Sequence, residues 1–145
     1  MRKRSHWIAT LAVALVVSLL MASCGGASNS ARSGGSMVGV KERDFKISMP
    51  RHLTAGTHVF SVHNEGPDDH ELIAIRTGNG RLPLRRDAIT LNEETLKPKI
   101  VGALEPGAPG ASRKVTFRLK PGRYVFVCNM AGHFLGGMHM TVQVG

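Results

Sequence analysis

The 145-residue chain has little aromatic character, with one tryptophan, one tyrosine and five phenylalanines, and it holds only two cysteines. The few aromatics are not interleaved with the basic residues, so no platform on which bases could stack is evident, which argues against nucleic acid as a partner. Acidic residues are also scarce, ten against nineteen lysines and arginines, and the formal net charge is +9. Such an excess favours acidic partners or an anionic membrane surface. Long apolar runs are missing too. The longest, residues 8–21, is fourteen residues, short of the ~20 that a membrane-spanning helix needs.

What stands at the start is "MRKRSHWIATLAVALVVSLLMASCGG". A basic cluster (Arg2, Lys3, Arg4), a short apolar run and small residues before a cysteine make an export signal. The segment resembles a bacterial lipoprotein signal, with Met21-Ala22-Ser23-Cys24 as its lipobox. The resemblance implies cleavage after residue 23, lipidation of Cys24, and a chain held at the extracytoplasmic face of a bacterial membrane. Removal of residues 1–23 takes away three basic residues, leaving sixteen against ten acidic. Residues 24–36 are a Gly/Ser-rich tether, and a single domain is expected over 37–145. Export also places Cys128 in an oxidising compartment. An unpaired thiol is a liability there unless it is buried or bound.

Within the domain the pattern has a period of two, the mark of strands. "DFKISM" alternates Phe45, Ile47 and Met49. Phe60 and Val62 share a face after a turn at Ala55-Gly56. "HELIAI" is a strand beginning at His70. "KVTFRLKPGRYVFVC" predicts a hairpin turning at Pro121-Gly122, and "MHMTVQV" a last strand with Met140, Val142 and Val144 on one face. Residues 76–110 read as a crossover rich in Gly, Pro and charge, with a helical turn in "LNEETL" capped by Asn92. The fold class is all-β, a Greek-key sandwich of six or seven short strands with that one helical segment. His52, His58 and His63 read as scattered surface histidines.

The chemistry concentrates in "CNMAGHFLGGM". Cys128, His133 and Met138 have four residues in each gap, and thiolate, imidazole and thioether are all soft-metal ligands. Two imidazoles and a thiolate in a trigonal plane, with a weak axial methionine, make a blue-copper site. His70, in "NEGPDDHELIAI", stands at a strand start and can supply the second imidazole.

These two segments resemble those of the cupredoxins, the type 1 blue copper proteins. "YVFVCNMAGHFLGGM" is similar to their ligand loop in the longer rusticyanin and sulfocyanin form, and "FSVHNEGPDDHELIAI" to their first-histidine segment. The resemblance covers residues 38–145. It implies one copper ion cycling between Cu(I) and Cu(II), held by His70, Cys128 and His133 with Met138 axial, and an electron carrier with no catalytic residues. It also implies a redox protein as partner, docked on an apolar patch of Met130, Phe134 and Leu135 around His133, and a carrier that works as a monomer. Many cupredoxins have Asn or Ser after the first histidine; here it is Glu71. Its backbone N–H can still donate to the Cys128 sulfur, and Asn129 can supply a cross-loop hydrogen bond. No His-x-His pair is present, and such pairs mark the copper oxidases and reductases. A copper-handling role in storage, delivery or resistance is the alternative.

Overall fold

Alternation of apolar and polar residues sorts the strands into two sheets. The computed structural model describes residues 35–78 and 80–145; the signal segment, Cys24 and the tether up to residue 34 lie outside the described residues. One sheet holds β1 (Ser36–Arg43), β2 (Lys46–Ser48), β4 (Gly56–Asn64) and β7 (Ser112–Leu119) in the order β2-β1-β4-β7. The other holds β3 (His52–Leu53), β5 (His70–Thr77), β6 (Ile100–Gly107), β8 (Gly122–Val127) and β9 (His139–Val144) in the order β3-β9-β8-β5-β6. Pairing is antiparallel except for β1 with β4 and β3 with β9. This is the expected all-β sandwich. Among the described residues no helix is long and apolar enough to cross a membrane.

The inward residues of both sheets form one core. Val38, Val40, Phe60, Val62, Phe117 and Leu119 meet Leu72, Ala74, Tyr124, Phe126, Val142 and Val144, all buried. At its centre the rings of Phe60, Phe117 and Phe126 lie 5.2–6.4 Å apart between centroids. A second apolar cluster sits on the opposite face of the five-stranded sheet, where Ile73, Ile75 and Val127 meet Leu91 and Leu96 of the crossover. Strand β5 is thus apolar on both faces, which is why "LIAI" does not alternate. The helical turn α1 (Glu93–Leu96) begins where expected: the Asn92 side chain accepts from Thr95 N, and Glu93 and Glu94 fill the first turn. A 3-10 turn, Lys97–Lys99, follows.

Four expectations are corrected. β7 and β8 are no hairpin: they belong to different sheets, and Pro121-Gly122 carries the chain from one to the other. The segment 76–110 is not all crossover, because β6 pairs with β5 over its last third. Its inward position Gly102 lies under the Phe117 ring, with no room for a Cβ. Phe45 does not join Ile47 in the core: Ile47 is 2% exposed and Phe45 47%. His58 is buried, with Nδ1 2.6 Å from Ser36 Oγ and Nε2 2.8 Å from the Thr54 carbonyl, whereas His52 and His63 are exposed.

Candidate metal centre

Strand pairing brings the two ligand segments together. β5 and β8 are antiparallel neighbours with Ile73 opposite Val127, so the start of one lies beside the end of the other. His70 opens β5, and Cys128 follows the last residue of β8. A register shift between His70 and Leu72 marks a bulge, which re-aims the side chains beside it. The loop beyond Cys128 returns on itself. Cys128 N donates to the Met138 carbonyl (3.1 Å), Met138 N to the His133 carbonyl (2.9 Å), and His133 N to the Met130 carbonyl (2.9 Å). Gly132 and Gly137 take φ of 81° and 106°, a region that glycine enters without steric cost.

These constraints gather three donor atoms. His70 Nδ1 and His133 Nδ1 are 3.2 Å apart, and the Cys128 sulfur lies 3.5 Å from His133 Nδ1 and 4.0 Å from His70 Nδ1. A metal bound at ~2.0 Å to nitrogen and ~2.3 Å to sulfur, in a trigonal plane, separates its donors by roughly 3.5–3.8 Å. The observed triangle brackets that range, so the three atoms fit a single small ion. All three residues are buried. Met138 is fully buried, belongs to the same apolar cluster as Cys128, and is tied by backbone hydrogen bonds to both Cys128 and His133.

Burial sets the protonation states. It lowers the pKa of His70, against the raising effect of the Asp44 carboxylate, and so favours the neutral imidazole that can ligate. It pushes the Cys128 thiol up from 9.0 to about 11, even though the backbone N–H groups of Glu71 and Met130 donate to the sulfur. A thiol held so high becomes a ligand only when a metal displaces its proton.

The residues around this cluster stitch three segments together. The Glu71 backbone N–H reaches the Cys128 sulfur, as expected. Its carboxylate also ties the loops, accepting from Asn129 N at 3.1 Å. Burial first, and then the charge of Glu93, raise the Glu71 pKa. The Asn129 side chain turns to the crossover instead of the first-histidine segment: Oδ1 accepts from Leu91 N (2.6 Å), and Nδ2 donates to the Leu91 carbonyl (3.3 Å) and to Glu93 Oε1 (2.7 Å). Of the three residues expected to form the docking patch, only Leu135 is well exposed, at 52%; Met130 packs against the main core and Phe134 against the second cluster. Phe45 and Ile89 add exposed apolar surface here. The Phe45 ring meets the His133 imidazole edge-on at 5.4 Å, and the Ile89 carbonyl accepts from Gly132 N.

Sequence reasoning missed two residues at the site, Asp44 and Phe45. Asp44 Oδ1 is 2.8 Å from His70 Nε2. Neither residue stands near the ligands in sequence, and the alternation assigned Phe45 to the core. A charged residue followed by a large apolar one at a strand end was the only available signal.

No family model matches the chain, and no curated protein sequence matches it. Solved structures do. Auracyanin from Roseiflexus castenholzii matches 77% of this chain and 98% of its own at 21% identity, with a TM-score of 0.57. Auracyanin A from Chloroflexus aurantiacus, a "blue" copper protein, matches 77% and 100% at 20% identity, with a TM-score of 0.58. Rusticyanin from Thiobacillus ferrooxidans matches 77% and 79% at 15% identity, with a TM-score of 0.57. A β-sandwich of two mixed sheets that superposes on auracyanin and rusticyanin over nearly the whole described domain has the cupredoxin fold.

Proposed function

We propose that this protein is a type 1 blue copper electron carrier, with His70, Cys128 and His133 as equatorial ligands and Met138 as the axial one. The convergence of His70 Nδ1, His133 Nδ1 and Cys128 Sγ within 3.2–4.0 Å carries the reading. Two imidazoles, a thiolate and a buried thioether match the donor set of blue-copper sites. When bound, copper supplies one-electron chemistry between Cu(I) and Cu(II). The protein's part is to hold the donors still: the sandwich fixes His70 and Cys128 on paired strands, and the backbone-bonded loop fixes His133 and Met138. All four donor positions come from the chain, leaving no open position such as catalytic metal sites keep, which suits a carrier and not an enzyme.

The docking surface is the apolar skin over His133. That imidazole is 8% exposed and meets the Phe45 ring; Leu135 of the same loop and Ile89, whose carbonyl accepts from Gly132 N, add exposed apolar surface nearby. Exposed apolar surface of this kind marks interaction sites, and a redox protein docked there meets the metal ligand closest to solvent. The export signal and the lipid expected on Cys24 hold the domain at the outer face of a bacterial membrane, where redox complexes are natural partners.

The test is the visible and electron paramagnetic resonance spectrum of the full chain loaded with Cu(II). An intense thiolate-to-copper band with narrow copper hyperfine splitting is expected, and both vanish in Cys128→Ser. A pale protein with ordinary tetragonal copper refutes the reading and moves the weight to copper storage or delivery.

A further inference from the structure

We propose that the turn between β1 and β2 is a third structural element of the metal centre, in which Asp44 holds one histidine ligand from behind and Phe45 covers the other. The inference rests on the blue-copper reading and adds two positioning residues to it. Adjacent in sequence, they reach the two ligands separately. Asp44 Oδ1 lies 2.8 Å from His70 Nε2, a close ion-pair contact, and both atoms are buried with no hydrogen-bond partner elsewhere. Two buried polar atoms left to each other are a costly arrangement unless the contact has a use. A carboxylate on the far nitrogen orients a ligating imidazole, fixes its tautomer so that Nδ1 is free for the metal, and raises its basicity. Nδ1 is the atom that faces Cys128 and His133.

The surroundings are shaped around this contact. A Cβ on Gly66 would stand 2.7 Å from both Asp44 Oδ1 and His70 Nε2, so glycine is what lets the chain close over the pair. On the other side the Phe45 ring stands at 88° to the His133 imidazole, and a Cβ on Gly136 would stand 2.6 Å from Phe45 Cδ1. The ligand loop therefore leaves a bare glycine where Phe45 lies down. Half exposed on its outer side, Phe45 shields His133 from water and forms part of the surface a partner meets.

The charge of Asp44 has a direction of effect. A negative group beside His70 favours Cu(II) over Cu(I), so its removal raises the reduction potential. Cu(II) and Cu(I) affinities are measured separately by chelator competition on the full chain, together with the potential and a urea melt of the metal-free protein. Asp44→Asn is expected to weaken Cu(II) binding roughly tenfold or more and Cu(I) binding less. Each tenfold excess of loss on Cu(II) appears as a rise of about 59 mV. Gly66→Ala wedges the contact apart with every charge in place, and is expected to weaken Cu(II) binding and raise the potential in the same direction. Phe45→Ala is expected to keep the blue band and speed removal of copper by chelator several-fold. If the parent is blue and Asp44→Asn and Gly66→Ala leave both affinities and the potential unchanged, the proposal fails while the copper reading stands. A change in the urea melt alone reduces Asp44 to a structural role and also overturns it. A parent with no blue band overturns the copper reading itself.

Discussion

Replacing Glu42 by glutamine isolates the most perturbed carboxyl among the described residues. Glu42 lies on β1 facing inward and is fully buried. One carboxylate oxygen accepts from Arg113 Nη2 at 2.7 Å, and the other has no partner. Arg113 divides its guanidinium between Glu42 and the Glu105 carbonyl. Burial raises the Glu42 pKa from 4.5 to about 7, against the lowering effect of Arg113 and with a small push from Glu71. The sign follows from linkage. The folded state holds this proton more tightly than the unfolded chain, so the contribution to stability is whole below pH 4.5 and is lost as the pH rises through 7. The loss amounts to about 3 kcal/mol. Glutamine keeps the shape and an acceptor for Arg113 but does not titrate. Urea denaturation of the metal-free parent and of Glu42→Gln at pH 4 and pH 8 gives two stability differences. Their change between the two pH values is expected to be about 3 kcal/mol in favour of the variant at pH 8. Other titrating groups, common to both proteins, cancel. A change below about 1 kcal/mol would refute the reasoning, because it would mean that Arg113 compensates the buried charge in full.

Two further outcomes follow from single contacts. Tyr124 is buried, and its hydroxyl donates to the Lys120 carbonyl (2.9 Å) and accepts from Lys120 N (3.0 Å); Tyr124→Phe should cost about 1–2 kcal/mol in urea denaturation and leave the copper spectrum unaltered. Asn129→Ala strips the buried Leu91 backbone of its partners; it should cost about 2–3 kcal/mol and speed hydrogen exchange at Leu91, whereas unchanged exchange there would disprove the tie.

Much of this was legible in the chain because the signals were of the right kind. Period two gives the faces of strands, and Phe60, Val62, Val142 and Val144 are inward as read. Ligand chemistry singled out His70, Cys128, His133 and Met138, and three of their donor atoms converge while Met138 is buried and bonded at the loop's base. Periodicity does not name a strand's partner. "KVTFRLKPGRYVFVC" has the same pattern whether its halves pair or part, and here they part to opposite sheets. β6 was illegible because one of its two inward positions is Gly102, shaped by the Phe117 ring above it, leaving Leu104 alone to mark the face, and because Pro106 interrupts its end. Phe45 was misplaced for the same reason in reverse: a large apolar side chain was assigned to the nearest face, when the turn carries it to the metal loop. His58 is buried through partners, Ser36 and Thr54, that no spacing along its own strand reveals.

The sheet edges carry a consequence for molecules at close quarters. An unpaired edge strand is a template for another chain's backbone. Here β2 has three residues and β3 has two, β6 holds a proline, and β7 presents Lys114 and Arg118 outward. Two edge strands are too short to seed a ladder by themselves, one loses a donor at Pro106, and one repels its own copy. Copies concentrated side by side on a surface would therefore resist growing into fibrils, and each would keep its own metal loop free.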